Sequence, residues 1–430
     1  MKLNKILAIA MLPIMCAFSI EPAIIKNEIS DYALTYVRNQ NINKDQKIKN
    51  IILFIGDGMG PNHILGAEIL KGDNLSFSNP NDSKWSFHGY QNTDSLTSEG
   101  YTLDTTKSLI KPKLNSTLYD DAESPYGGAG NYLSNTCYTD SAAGGTALAT
   151  GKKTNNANIG IGPTGEHYEN LVEIASKLNK KTGVISTDTL AGATPSSFLV
   201  HVDNRHKEEE IMTLAADSSA NLIMTELNSN RNATFNNLYN NKGWNVAHSL
   251  ENLSKDSEKE VYLADYLLAD SPDAPSLTDL TMYALDKLDN KEGFFLMVEA
   301  SEIDKASHDN QAGTAYRELL ELDRTVNAAA QWASNREDTL IIVTADHETG
   351  GLWFDENTAT KDNIIDNTRF LSRNHSRTRV TVDVFGNIDE FLFTYSEELT
   401  SQGILDKNMP TECGNYWQNT DIFKLCASYL

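Results

Sequence analysis

The sequence predicts an α/β fold built on a largely parallel sheet. Four apolar runs of strand length alternate with segments that have the pattern of helices. The runs are Asn50–Ile55, Thr182–Thr187, Gly293–Val298 and Thr339–Thr344. Ligands of such sheets bind at the carboxyl ends of the strands. Asp57, Glu299 and Asp346 follow three of the runs and are therefore candidates for a functional site.

The chain has 430 residues, of which 40% are hydrophobic and 22% charged, as in a globular protein with a large core. The length fits one large domain or two. The formal net charge of -23 argues against nucleic acid or an anionic membrane surface as the main partner. The same charge would repel an anionic substrate, unless bound cations outweigh it locally.

Residues 1–19 have the pattern of a secretory signal peptide. Lys2 and Lys5 precede the apolar run Ile6–Phe18, and Ala17-Phe18-Ser19 fits a cleavage site. The run is shorter than the ~20 residues that a membrane span needs, although a retained anchor or a buried helix has a similar pattern. We expect a periplasmic or secreted protein with no membrane span, in which residues 20–430 form a single catalytic domain.

In an oxidising compartment Cys413 and Cys426 are expected to form a disulfide. Cys137 would then be left over. It is interpreted as a nucleophile, a metal ligand or a buried thiol close to the site.

The segments between the apolar runs complete the predicted order of elements. Residues 71–134 are polar and rich in turns, which indicates an insertion on the rim of the domain. Residues 206–292 are polar and partly helical, and we expect them to cover one side of the sheet. The other predictions are a helix over 22–48, a helix beginning at Ser141, a helix over Asn170–Leu178 and a strand over Arg379–Phe385.

Several of these boundaries carry residues suited to metal binding. Asp57 lies in IGDGMG, where glycine lets the backbone approach an ion closely. Asp346 and His347 in VTADHETGG and Glu299 in VEASEIDKASH end buried runs, where ionisable groups need partners. Two metal ions about 4 Å apart neutralise phosphate charge and activate a nucleophile. Histidine with carboxylates suits zinc, and oxygen ligands alone suit magnesium.

Asp304 and His308 are four residues apart, so on a helix they share one face and can bind one ion. A solvated pair is the alternative interpretation. Ser141 in TDSAAGGTALATG is either a nucleophile favoured by a helix N-terminus or a helix cap. Arg205 is either a bidentate clamp for phosphate or a surface arginine.

These motifs resemble those of the alkaline phosphatase family from about residue 50 to about residue 390. The resemblance rests on IGDGMG, TDSAAGGTALATG, ATPSSFLVH, PSLTDLT, VEASEIDKASH and VTADHETGG, in the order of the family. It implies a three-layer α/β/α sandwich and hydrolysis of small-molecule phosphate monoesters through a phosphoserine intermediate. It also implies a homodimer with two zinc ions and one magnesium ion per subunit.

The resemblance also implies a role for each candidate residue. Ser141 would be the nucleophile and Arg205 the phosphate clamp. The expected metal ligands are Asp304, His308 and His375 for one zinc, Asp57, Asp346 and His347 for the second, and Asp57, Thr194 and Glu299 for magnesium.

This chain departs from the family pattern at two places. Gly192 stands where one branch of the family has aspartate, so waters or another residue are expected to complete the third site. Lys305 would then reach phosphate through water, or be solvated. The sequence His375-Ser376-Arg377 replaces the family's His-Ser/Thr-Gly, but the strand expected to follow supports His375 as a ligand. His63, His88, His167, His201, His206 and His248 have no ligand spacing.

Two other functions remain open. A phosphodiesterase or a sulfatase of the same architecture would use a similar metal centre. A sulfatase, however, needs a Cys-or-Ser-x-Pro-x-Arg sequence, which Ser141 lacks, and a diesterase has less need of Arg205. A secreted protein that binds metal or phosphate without catalysis would use the same ligands but would not need Ser141.

Overall fold

The computed structural model describes residues 48–96, 138–226, 232–265, 267–269, 271, 274–402, 404 and 417–430. The predicted signal peptide, nearly all of the first predicted helix, Cys137, Cys413 and much of the segment 71–134 lie outside these ranges. Cys426 is buried, and its pairing with Cys413 stays a prediction.

One ten-stranded sheet forms the centre of the molecule. In chain order the strands are β1 (Asn50–Gly56), β2 (Trp85–Asn92), β3 (Lys181–Thr189), β4 (Leu222–Glu226), β5 (Asn245–Ala247), β6 (Glu260–Ala264), β7 (Phe294–Ala300), β8 (Thr339–Thr344), β9 (Glu348–Thr349), β10 (Leu352–Trp353), β11 (Arg369–Phe370), β12 (His375–Ser376), β13 (Val380–Phe385) and β14 (Trp417–Gln418). The central sheet has the order β14-β2-β13-β8-β1-β7-β3-β4-β6-β5, while β9 pairs with β12 and β10 with β11 outside it.

The central sheet is parallel except at β13. This strand is antiparallel to both of its neighbours, β8 and β2. β1, β7 and β8 are buried along their whole length, because helices cover both faces of the sheet.

Two hydrophobic clusters lie on opposite faces of the sheet and define the three layers. Ile51, Leu53 and Ile55 of β1 belong to one cluster, and Ile52 and Phe54 to the other. In chain order the helices are α1 (Pro61–Lys71), α2 (Ser141–Thr150), α3 (Leu171–Lys177), α4 (Ala193–Ser197), α5 (Glu208–Ala215), α6 (Asn232–Asn241), α7 (Leu277–Leu288), α8 (Glu302–His308), α9 (Ala312–Ala333), α10 (Ile364–Asn367), α11 (Asp389–Ser401) and α12 (Asn419–Tyr429).

Helices α2 to α6, α11 and α12 contribute to the first cluster, and α1 and α7 to α10 to the second. The predicted α/β/α sandwich with a large, mostly parallel sheet is thus confirmed. No helix within the described ranges has the length and apolar character that crossing a bilayer would require.

Two segments contribute more to the sheet than the sequence predicted. Within 71–134, expected to be a rim insertion, β2 pairs with β13 in the central sheet. Within 206–292, expected to cover one side, β4, β6 and β5 form one edge of the sheet. β5 is an edge strand of three residues, and β2, next to the edge strand β14, has eight residues that are partly exposed and partly polar. Neither therefore has the apolar run that marks a central strand.

Candidate active site

The candidate residues come together at the carboxyl ends of four adjacent strands, β8, β1, β7 and β3. Asp346 and His347 follow β8, and Asp57 follows β1. Glu299 is the penultimate residue of β7, whose following helix α8 carries Asp304 and His308. Thr194 lies in α4 after β3, and His375 begins β12. Parallel strands place their carboxyl ends on the same edge, which brings residues distant in sequence into one cluster.

Ser141 is the first residue of α2 and is almost completely buried. Asp140 caps this helix, since its Oδ1 accepts a hydrogen bond of 3.0 Å from the Ala143 N–H. The Ser141 Oγ lies 3.1 Å from His347 Nε2. The hydroxyl therefore faces both the positive end of a helix dipole and the cluster of candidate ligands.

The first group of candidate ligands is Asp304, His308 and His375. His308 Nε2 lies 3.3 Å from Asp304 Oδ2, and His375 Nε2 lies 3.7 Å from Asp304 Oδ1. The two Nε2 atoms are 3.1 Å apart. These are the three residues expected to hold one zinc ion.

The second group lies around His347. Its Nε2 is 3.3 Å from Asp346 Oδ2 and 3.5 Å from Asp57 Oδ1. Asp304 is also within reach, because one ligand atom each from Asp57, Asp304 and His347 lies within 4.8 Å of the others. Asp304 therefore stands between the two groups, a position that the sequence analysis did not predict.

The third group contains Glu299 and Thr194. Glu299 is buried and accepts a hydrogen bond from the Ser186 hydroxyl of β3. The Thr194 Oγ1 is buried and makes no well-formed hydrogen bond in the described part of the chain, although it lies close enough to Glu299 to lower the pKa of that carboxyl against the larger effect of burial. Ser186 had no distinguishing signal in the sequence.

Arg205 and Lys305, the two predicted phosphate contacts, differ in their surroundings. Arg205 Nη1 lies 3.3 Å from Asp140 Oδ2, so the residue that caps α2 also orients the guanidinium. Lys305 Nζ lies 2.9 Å from Asp188 Oδ1 and 2.7 Å from Glu302 Oε1. Arg205 is thus oriented beside Ser141, whereas Lys305 is held by two carboxylates, neither of which the sequence analysis had singled out.

Crowding of carboxylates dominates the electrostatics of the cluster. Burial, followed by the charges of Asp346 and Asp304, raises the pKa of Asp57 well above its ordinary value. Burial and Asp304 raise the pKa of Asp346 to about 7. Burial and Asp188 raise the pKa of Glu299 to about 8. Such a cluster favours bound cations, whose charge would offset the repulsion.

The hydrogen bonds of the histidines fix which nitrogen faces the cluster. The Nδ1–H groups of His375 and His308 donate to the backbone carbonyls of Thr139 and Arg373. In the neutral imidazoles both Nε2 atoms would face each other with lone pairs, which a cation between them can accept. Burial is outweighed by the charge of Asp304, which raises the pKa of His308, so without a cation a proton on its Nε2 can take that place. Carbonyl partners of this kind are typical of histidines that bind metal.

Unpaired oxygen atoms in the cluster also fit bound cations. Asp57 Oδ1 and Asp346 Oδ2 are buried and, within the described ranges, accept no hydrogen bond. Burial, followed by the neighbouring His375, lowers the pKa of His347 well below its ordinary value, so its imidazole is neutral. Imidazoles, carboxylates and one hydroxyl form a donor set that zinc and magnesium accept.

Glycine residues allow the elements of the cluster to approach one another. Gly58 has a φ of 72°, and a Cβ atom there would lie 2.9 Å from the Asp304 Cα. In α2, a Cβ on Gly144 would lie 3.0 Å from the Asp346 carbonyl oxygen, and one on Gly145 would lie 3.1 Å from the Thr194 Cα. The absence of side chains at Gly144 and Gly145 thus lets the helix approach two segments that carry candidate ligands.

Comparison with known proteins gives a consistent result. The family described as alkaline phosphatase matches residues 110–239 and 236–411. Alkaline phosphatase 4 of Bacillus subtilis (strain 168) is 32% identical over 321 residues, which cover 71% of this chain and 62% of the relative. Alkaline phosphatase H of Pseudomonas aeruginosa (strain UCBPP-PA14) is 25% identical over 446 residues, covering 84% of this chain and 86% of the relative. The match covers less than two thirds of the length of the Bacillus relative.

Solved structures share the fold. The alkaline phosphatase from the Antarctic bacterium TAB5 superposes with a TM-score of 0.65 at 24% identity, covering 89% of this chain and 98% of that chain. The alkaline phosphatase of Thermus thermophilus also gives a TM-score of 0.65, at 18% identity, covering 91% of this chain and 94% of that chain.

Proposed function

This chain belongs to the alkaline phosphatase family, and we propose that it is an exported, metal-dependent enzyme that hydrolyses phosphate monoesters. One observation carries the proposal: the buried Ser141 hydroxyl, at the start of α2, lies 3.1 Å from His347 Nε2 at the edge of two groups of metal-ligand side chains. A protein that only binds metal or phosphate has no need of a hydroxyl in this position.

The proposed cofactors are two zinc ions and one magnesium ion. Asp304, His308 and His375 would hold one zinc, and Asp57, Asp346 and His347 the other, with Asp304 close to both. Asp57, Thr194 and Glu299 would hold magnesium. When bound, these cations would neutralise the phosphate, lower the pKa of the Ser141 hydroxyl and stabilise the leaving oxygen.

The proposed reaction has two displacements at phosphorus. The Ser141 Oγ attacks phosphorus, the bond to the ester oxygen breaks, and the alcohol leaves with a proton from solvent. A water molecule then attacks the phosphoserine, the bond from phosphorus to Oγ breaks, and inorganic phosphate is released. Arg205, oriented by Asp140, donates hydrogen bonds to two non-bridging oxygens throughout.

The test compares p-nitrophenyl phosphate with bis(p-nitrophenyl) phosphate at alkaline pH. Both are assayed before chelation, after it, and after zinc and magnesium are restored. We expect turnover of the monoester that chelation abolishes and the metals restore. Preference for the diester would indicate a phosphodiesterase. Absence of turnover by the metal-loaded protein would indicate a protein that binds metal or phosphate without catalysis.

Export and assembly are part of the same proposal. Residues 1–19 predict removal of a signal peptide, and the family resemblance implies a homodimer. Sequencing the N-terminus of the exported protein tests the first expectation, and light scattering coupled to size-exclusion chromatography tests the second. A retained N-terminus or a monomer would contradict the corresponding expectation without affecting the assignment of activity.

A further inference from the structure

Asp188 fills the space over Gly192 at the edge of the third group. A Cβ atom on Gly192 would lie 2.3 Å from Asp188 Oδ2 and 2.7 Å from its Cγ. The carboxylate therefore occupies the volume that a side chain at position 192 would enter. Gly192 is the N-cap residue of α4, the helix that carries Thr194. The end of β3 thus brings a carboxylate beside the third group from a different position in the chain.

The two oxygens of this carboxylate have different surroundings. Oδ1 accepts hydrogen bonds from the Thr189 N–H at 2.8 Å and from Lys305 Nζ at 2.9 Å. Neither of these bonds uses Oδ2, which lies over Gly192. The hydrogen bonds to Oδ1 hold the group in one orientation and leave Oδ2 facing the N-terminus of α4.

From this arrangement we propose that Asp188 is an anionic ligand of the third cation, in place of a side chain at position 192, and that the same carboxylate positions Lys305. The inference rests on the proposed function, because it assumes that Glu299 and Thr194 belong to a cation site. It goes further in assigning a ligand that the sequence pattern does not indicate.

Charge and hydration support the assignment. The Ser186 side chain links the two acidic residues, because its hydroxyl donates to Glu299 and accepts a hydrogen bond of 2.8 Å from the Asp188 N–H. A cation between two neighbouring carboxylates would remove their mutual repulsion. The Asp188 side chain is 23% exposed. A partly open site suits magnesium, which keeps several of its waters when bound.

The alternative is that Asp188 serves only as a partner for Lys305. Lys305 has a second carboxylate partner, Glu302, at 2.7 Å. The two interpretations can be distinguished by experiment, because Glu302→Gln and Asp188→Asn each remove one anionic partner of Lys305. Loss of the cation is expected from Asp188→Asn alone.

The experiment uses the full chain loaded with zinc and magnesium. Bound metals are counted by mass spectrometry after dialysis, and the midpoint of Mg²⁺-dependent thermal stabilisation is measured. For Asp188→Asn we expect the midpoint concentration to rise about 10- to 100-fold, with zinc content unchanged. For Glu302→Gln we expect the wild-type midpoint. Equal midpoints for wild type and Asp188→Asn would overturn the proposal.

A second variant moves the carboxylate. In Asp188→Gly/Gly192→Asp the volume vacated at position 188 admits a side chain at position 192, and Mg²⁺ binding should recover at least partly relative to Asp188→Gly. No recovery, or a wild-type protein that binds zinc but no third cation, contradicts the proposal. If the loaded wild type binds three cations but hydrolyses no monoester, the proposed function fails while the assignment of Asp188 stands.

Discussion

Three features act on the hydroxyl group of Ser141: the N-terminus of α2, the nearby nitrogen of His347 and almost complete burial. The helix N-terminus favours an ionised oxygen, whereas burial opposes it, so we expect ionisation of this hydroxyl to require bound cations. The serine and the metal-ligand groups are therefore expected to act as one unit.

Ser141→Ala should reduce turnover of p-nitrophenyl phosphate roughly 10³-fold or more, because no other group replaces the nucleophile. The metal content should not change, since the hydroxyl is not needed to hold the cations. Ser218→Ala is the matched control, because Ser218 is also buried and lies at the opposite end of the sheet, before β4. Undiminished activity of Ser141→Ala would exclude the serine as nucleophile.

Arg205→Ala should raise the inhibition constant for inorganic phosphate about 10- to 100-fold, as expected for loss of a charged hydrogen-bond donor. Arg205→Lys should recover only part of this affinity, because an ammonium group cannot donate to two oxygens in parallel. The control is Arg336→Ala, which removes a remote arginine paired with Asp289. Loss of metal with unchanged affinity for phosphate would contradict the proposed clamp.

Among the elements, α2 contains two adjacent glycines that helix propensity alone would disfavour. Their lack of side chains allows the helix to approach the loop after β8 and helix α4. The cost in helix stability is thus the consequence of placing Ser141 close to the ligands.

Gly144→Ala should lower both stability and metal content, although alanine is the better helix former. The new Cβ would lie 3.0 Å from the Asp346 carbonyl oxygen, so the loop carrying a ligand must move. Gly313→Ala in α9 is the matched control, since its Cβ meets no atom closer than 3.5 Å. The free energy of unfolding of Gly313→Ala should be unchanged or higher than that of the wild type by up to about 1 kcal/mol. Thermal unfolding and metal analysis of both variants test this prediction. Equal melting temperatures and equal metal contents for the two variants would contradict it.

The elements also show how far the sequence predicts the structure. β1, β7 and β8 were predictable because burial on both faces requires continuous apolar runs. β2 and β5 were not, since β2 is partly exposed and contains polar residues, and β5 is an edge strand of only three residues. At the site, Asp57 and Asp346 were detectable as carboxylates after apolar runs. The positions of Asp304 between two groups and of Asp188 over Gly192 depend on contacts between separate elements, which periodicity does not report.

For the molecule as a whole, the net charge of -23 and the carboxylates of the site both make the electrostatic potential at the site more negative. Without cations the site concentrates negative charge inside an already negative protein. Stability and pH should therefore be linked through the metals.

After chelation, stability should fall as pH rises from about 6.5 to 8 and level off above about 8, the folded-state pKa of Glu299. Glu299, with a pKa of about 8, and Asp57, with a raised pKa, bind more protons in the folded state than in the unfolded state, so their contribution is lost on deprotonation. Buried His63 and His347 have lowered pKa values and affect stability only up to the ordinary value of about 6.5. Added zinc and magnesium should stabilise more at higher pH, because their ligands must be deprotonated.

Thermal unfolding across this range, in chelator and in metals, measures both trends. A gap between the two melting temperatures that is constant from about pH 6.5 to pH 8 would contradict the linkage.

The position of β1 in the sheet has a consequence for synthesis of the chain. Ile51 pairs with Phe295 on one side and with Leu340 on the other. The earliest of the described strands in the chain therefore waits for partners that the ribosome makes much later. Ile51–Ile55 lacks both sheet partners until residue 300 has been made and lacks one of them until residue 344 has been made. An apolar segment without its sheet partners is of the kind that aggregates. We therefore expect a nascent chain to aggregate less when a chaperone covers this strand.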